Sequence, residues 1–161
     1  MRLVALACAG LLLLAGCGSS SKDAKPETLP DVTLQALRTT GQPLDLGTLK
    51  GPAVINLWAN WCNPCKVEMP IFEKFHTDHP GVPVYGVNTL DTQQDKAIAV
   101  ADQAGVTYPL VVDPDRRIVV AALPTTVMID AHGTVVYRSA IRFTSLGQLE
   151  KLVDRLLPGA L

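Results

Sequence analysis

Two cysteines, placed where an apolar strand gives way to an amphipathic helix, constrain this chain more than any other feature. They close the stretch Trp58-Ala59-Asn60-Trp61-Cys62-Asn63-Pro64-Cys65. Before it, Ala53 to Leu57 is apolar except at Asn56 and reads as a buried central strand. After it, Val67, Ile71 and Phe75 recur every four residues, the stripe of an amphipathic helix. Cys62 therefore falls at or just before the first helical turn. The unpaired amides and the macrodipole there favour an anion, so its thiol is expected to ionise readily. Pro64 suits the start of a helix because its missing N–H costs nothing in the first turn. The pair reads as a redox dithiol.

A length of 161 residues with 48% hydrophobic side chains allows one domain with a real core plus appendages. A net charge of −1 with 18% charged residues excludes the basic surface that a nucleic acid requires, and no polybasic run addresses a membrane. Cys8 lies in the apolar run from Leu3 to Ala15 behind Arg2, which is short for a membrane span and has the layout of a secretory signal. Its end, Leu14-Ala15-Gly16-Cys17, resembles the bacterial lipobox, in which the cysteine becomes the lipid-bearing first residue; the competing reading is an ordinary signal peptide. Residues 1–16 are thus expected to be a lipoprotein signal, and 17–30 a flexible tether beginning at lipidated Cys17. Residues 31–158 would form the folded domain. Cys62 and Cys65 then remain as the free thiols, in an extracytoplasmic setting where disulfides persist.

Along the chain, Val32–Leu37 and Leu44–Leu46 flank a turn and predict a β-hairpin added before the main fold. The strand Ala53–Trp58, a helix over about Pro64–Thr77 containing Pro70, and a strand Val82–Asn88 form a βαβ unit with a parallel pair. Pro70 is expected to kink its helix. A helix over Thr92–Ala104 follows, with Thr92 and Asp95 at capping-box spacing. Leu110–Val112 is a short strand, and Asp113-Pro114-Asp115 a turn opening a brief helix or loop. Thr125–Ile129 and Thr134–Arg138 predict an antiparallel hairpin. The final helix has Ser145 and Gln148 at capping-box spacing, and Leu146, Leu149, Val153 and Leu156 on one face. The order of elements makes an α/β sandwich of helix, sheet and helix.

Trp61-Cys62-Asn63-Pro64-Cys65 after a buried strand, with Leu123-Pro124-Thr125-Thr126 before a late hairpin, resembles the thioredoxin superfamily. Asn56, Glu68-Met69-Pro70 and Leu123–Asp130 bring the likeness closer to its membrane-anchored extracytoplasmic branch, that of TlpA, ResA and DsbE/CcmG. Ala122 departs from that branch, which commonly has Gly there. The resemblance covers about Pro30 to Leu157. It implies a thioredoxin-like three-layer sandwich, a central mixed sheet flanked by helices, with an N-terminal hairpin extension. It implies a thiol–disulfide oxidoreductase that needs no cofactor or metal and reduces disulfides in partner proteins, such as apocytochrome c before haem attachment. A membrane protein of the DsbD/CcdA type would recharge it. The protein would be a monomer on the outer face of the cytoplasmic membrane.

In that reading Cys62, with access to solvent, attacks a substrate disulfide and Cys65 resolves the mixed disulfide. Pro124 is cis against the dithiol, and the backbone of Leu123 pairs with an extended substrate chain. Trp61 offers substrates an apolar platform, while Trp58 is core. Glu68, one helical turn past Cys65, accepts the proton of Cys65 if burial raises its pKa; the alternative is an ordinary surface carboxylate. Lys66 either assists the thiolate or is simply solvated. His76 and His79 are read as polar residues near a helix end.

Other readings compete. A structural disulfide across four residues would do little to the unfolded chain, and zinc would need a second ligand pair that the three histidines do not supply at a matching spacing. The same scaffold run in reverse is an oxidant that inserts disulfides into secreted proteins. A copper-handling module of similar fold usually spaces its cysteines by three residues and adds a distant His. A peroxidase would need a Pro-x-x-x-Thr-x-x-Cys arrangement that this dithiol lacks.

Overall fold

The computed structural model describes residues 25–161. The signal segment, Cys17 and most of the expected tether lie outside the described residues. In chain order the elements are β1 (Thr33–Ala36), β2 (Leu44–Asp45), β3 (Ala53–Trp58), α1 (Asn63–Asp78), β4 (Val84–Thr89), α2 (Gln94–Gln103), β5 (Leu110–Asp113), β6 (Thr125–Ile129), β7 (Val135–Ser139) and α3 (Leu146–Leu156). The seven strands form one mixed sheet in the order β2-β1-β5-β4-β3-β6-β7. No helix among the described residues is long and apolar enough to cross a membrane.

β3 lies inside the sheet with all six of its residues buried, apolar except at Asn56, as a strand covered on both faces must be. It pairs in parallel with β4 and antiparallel with β6. Since β3, β4 and β5 are successive parallel neighbours, right-handed crossovers put α1 and α2 on the same face. The packing agrees. Val54 and Trp58 of β3 share one cluster with Cys65, Met69, Phe72 and Phe75 of α1, Ala97 and Ala101 of α2, and Leu149, Leu152 and Val153 of α3. Each large side chain fully buried there, such as Trp58 or Phe72, contributes about 1.5–3 kcal/mol relative to exposure. The opposite face of β3, Ala53, Ile55 and Leu57, packs with Leu29, Leu34, Leu46 and Ile118. Strand, loop and the N-terminal segment close that side.

The β6–β7 hairpin turns at Asp130–Gly133, where Asp130 Oδ1 accepts from His132 N and Thr134 N, and Gly133 takes the left-handed φ of +84°. A register shift lies between Met128 and Ile129.

The structure refines several expectations. The N-terminal hairpin is present, with Leu34 opposite Leu44, but β1 also pairs with β5, so the hairpin joins the main sheet and β2 becomes one of its edges. Residues 27–29, expected in the tether, are held: Val135 N donates to Glu27 O, Thr28 bridges Thr134, and Leu29 is buried. Neither capping box forms as expected. Gln93 caps α2 with no side-chain bond, because the carboxylate of Asp91 already accepts from Gln93 N. At α3, Gln148 Oε1 accepts from Thr144 N, one residue before the cap Ser145. After β5 there is a loop and no helix. Both oxygens of buried Asp113 take backbone amides, from Arg117 and Ile118, and Arg116 adopts φ +55°, which tucks Ile118 under the sheet. α1 runs from Asn63 to Asp78 with Pro70 inside it.

Candidate active site

α1 begins at the dithiol. Cys62 is its N-cap, with extended backbone (φ −82°, ψ 95°), and its Sγ accepts from the backbone N–H of Cys65 at 3.2 Å. Cys62 and Cys65 are joined as a disulfide, Cα–Cα 5.3 Å. No acidic side chain stands in the first turn to oppose a thiolate. Both cysteines belong to the large apolar cluster. Cys62 is 3% exposed and Cys65 0%, so the order of access is the expected one, but the opening is far narrower than the sequence reading required. The two sulfurs differ in their surroundings. Cys62 Sγ is the sulfur that faces an amide donor, and Cys65 is the one wholly enclosed by apolar neighbours.

Glu68 projects inward from the next turn of α1 and is wholly buried, so it is not a surface carboxylate. Its Oε1 accepts from Phe143 N at 2.7 Å, and its Oε2 has no partner among the described residues. Burial pushes its carboxyl up to about 7, against the opposing pull of the Phe143 N–H and the positive charge of Arg142. Two further buried polar side chains on the helix-covered face of the sheet, Asn56 and its cross-strand partner Thr126, also lack partners. The amide of Asn56 carries no proton that a base would release.

The Leu123–Pro124 peptide bond is cis. The β3–β6 register pairs Leu57 with Thr125, which brings Pro124 level with Trp58 at the end of β3 where the dithiol loop departs. Thr125 Oγ1 donates to Ala122 O at 2.6 Å, and Ala122 itself needs no left-handed conformation. No backbone bond to another described residue engages Leu123, which is half-buried. Trp58 is fully buried, whereas Trp61 is 54% exposed with its Nε1 donating to Leu90 O at 2.9 Å. Lys66 is exposed. His79 Nε2 meets Glu150 Oε1 at 2.9 Å, tying the end of α1 to α3. Among the described residues, no group of three or more His, Cys, Asp or Glu comes together as a metal ion would require.

Sequence reasoning missed Asp91. Its Oδ2 accepts from Asn60 N (2.7 Å) and Asn88 Nδ2 (2.9 Å), and its Oδ1 from Asn60 Nδ2 (2.5 Å) and Gln93 N (2.9 Å). Burial would raise its carboxyl, but the hydrogen bonds from Asn88, Asn60 and Gln93 outweigh that and hold it below the usual range. The only local signal was an Asp two residues before Gln93, the pattern of an Asx turn. The contact of Phe143 with Glu68 spans 75 positions and leaves no local trace.

The sequence model of the AhpC/TSA family matches residues 26–138. The thiol-disulfide oxidoreductase ResA of Bacillus subtilis is 37% identical over 108 residues, 61% of this chain and 58% of ResA. The thiol:disulfide interchange protein DsbE of Escherichia coli K12 is 32% identical over 119 residues, 70% of this chain and 63% of DsbE. The chain thus spans less than two thirds of the length of either. A crystal structure of a thiol:disulfide interchange protein of the thioredoxin family from Chlorobium tepidum superposes with TM-score 0.70 at 23% identity, covering 83% of this chain and 98% of that one. That likeness shows the thioredoxin-like fold.

Proposed function

The chain belongs to the AhpC/TSA family, and from that premise we propose that it is a thiol–disulfide oxidoreductase working outside the cytoplasm. The observation that carries the proposal is the Cys62–Cys65 disulfide at the N-cap of α1, with Cys62 Sγ already facing an N–H donor. The reduced pair would act in two steps. The Cys62 thiolate attacks one sulfur of a substrate disulfide, forming a mixed disulfide and expelling the other substrate sulfur as a thiolate that takes up a proton. Cys65 then loses its proton and attacks Cys62 Sγ. The substrate leaves as a dithiol, and two electrons have passed to it. Buried Glu68, with a carboxyl near neutrality, is the group suited to receive the Cys65 proton. Trp61 offers an exposed apolar face, and the free backbone of Leu123 is placed to pair with an extended substrate strand.

The names of the relatives support disulfide exchange between proteins. Within that activity the reading is a reductant of partner proteins such as apocytochrome c, recharged by a membrane partner of the DsbD/CcdA type. Lipid on Cys17, with residues 1–16 removed, would hold it as a monomer on the outer face of the cytoplasmic membrane. Cys65→Ala is expected to accumulate mixed disulfides through Cys62, visible as non-reducing gel bands that vanish with dithiothreitol. Their absence from cells expressing the variant overturns the exchange mechanism. Equilibration with glutathione or thioredoxin separates the directions: a potential near or below about −270 mV marks a reductant, one near about −120 mV an oxidant.

A further inference from the structure

The loop that carries Trp61 to the dithiol is held from outside by the turn after β4. Asp91 is saturated there: four donors occupy its two oxygens, and they come from three places, the end of β4 (Asn88), the start of α2 (Gln93) and the dithiol loop (Asn60). Asn60 contributes both its backbone and its side chain and is 7% exposed, while Asp91 itself is half-buried. Next to Asp91, Leu90 takes φ +55°, a conformation that a branched side chain adopts only when its surroundings impose it. In that conformation its carbonyl receives the Trp61 indole N–H. Cys62 N in turn donates to Ala59 O, closing the same short loop onto the cysteine. A half-exposed tryptophan on an irregular segment would sample several rotamers. Here both its backbone neighbour and its ring nitrogen are fixed by one turn.

We propose that Asp91 is a positioning residue, holding the Ala59–Cys62 loop and, through Leu90, the Trp61 indole in the orientation that receives a protein disulfide. This rests on Trp61 being the substrate platform, and it adds the group that sets the platform. It acts on docking, because the carboxylate touches neither sulfur. All four contacts are donors, so Asp91→Asn replaces one acceptor oxygen with an NH₂ that faces N–H groups, and the loop loses its anchor at almost constant volume.

The test uses the full chain and reduction of insulin disulfides as the probe reaction. Asp91→Asn is expected to raise KM for insulin about tenfold while kcat falls less than about twofold, the pattern of lost docking without lost chemistry. Asp91→Glu should recover part of the loss. Trp61→Ala should raise KM similarly, and the Asp91→Asn/Trp61→Ala double variant should be no worse than Trp61→Ala alone, since both changes remove one interaction. If Asp91→Asn does not fold, Asn60→Ala removes the side-chain half of the loop's hold, leaves Asp91 with the residue-60 backbone N–H, Asn88 and Gln93, and is expected to raise KM by less than Asp91→Asn with kcat again nearly unchanged. An unchanged KM, an equal fall in kcat, or additive effects in the double variant overturn the role of Asp91. If Trp61→Ala itself leaves KM unchanged, the platform reading fails first and the Asp91 proposal with it. A KM raised by Trp61→Ala but not by Asp91→Asn removes only the Asp91 proposal.

Discussion

Glu68 is the residue where burial and chemistry meet most directly. An acid whose folded-state pKa is raised holds its proton more tightly when folded than when unfolded. From an ordinary value of 4.5 to a folded value of about 7, the folded state binds more protons, so stability falls as pH rises through that window and levels off above it. Each tenfold change in proton affinity is worth about 1.4 kcal/mol, so for this wholly buried group the total is about 3 kcal/mol. Glu68→Gln keeps an acceptor for Phe143 N and cannot ionise. The variant should therefore lose the decline between pH 4.5 and 7 and melt higher than the parent at pH 8, measured by thermal denaturation of the oxidised protein. The same substitution should slow resolution of the mixed disulfide by roughly 10²-fold and remove a rate inflection near pH 7. A parent and variant with parallel pH–stability curves would mean that Glu68 ionises as freely when folded as when unfolded.

At the scale of elements, two helix-start expectations and one loop show how local patterns compete with long-range acceptors. Thr92 and Asp95 have the spacing of a capping box, yet α2 starts at Gln94 with Asp91 supplying the acceptor. Thr92→Ala should accordingly change stability by less than about 0.5 kcal/mol, against about 1 kcal/mol for a working N-cap. Asp113 is the opposite case. Wholly buried, it takes the amides of Arg117 and Ile118 and so shapes the loop that closes the second face of the sheet. Asp113→Ala strands those amides, at about 1–3 kcal/mol each where buried, and should cost at least about 2 kcal/mol in chemical denaturation. A large effect at Thr92 with a small one at Asp113 would reverse the assignment of the acceptors.

For the molecule as a whole, what was legible in the sequence follows from how far apart the interacting groups lie. β3 matches its expected limits because a short run between turns, apolar except at Asn56, is a local signal. The dithiol at the helix start, the late hairpin and the amphipathic α3 are local in the same sense. The pairing of β1 with β5, the seat of Ile118 and the grip of Phe143 on Glu68 join distant segments, and no periodicity encodes them. The redox pair is coupled to the whole fold through a thermodynamic cycle. Oxidised and reduced forms, folded and unfolded, close a square, so the difference between the two unfolding free energies equals the difference between the potentials of the pair in the unfolded and folded chain. Each 30 mV by which folding lowers the potential makes the oxidised fold about 1.4 kcal/mol more stable than the reduced one. A reductant, whose folded pair prefers the disulfide, must therefore melt higher when oxidised, by several degrees for each 30 mV in a domain of this size. Melting curves of the protein with and without dithiothreitol, followed by circular dichroism, read that sign. A reduced form that melts higher would show that folding favours the dithiol, and the Cys62–Cys65 pair would then be an oxidant.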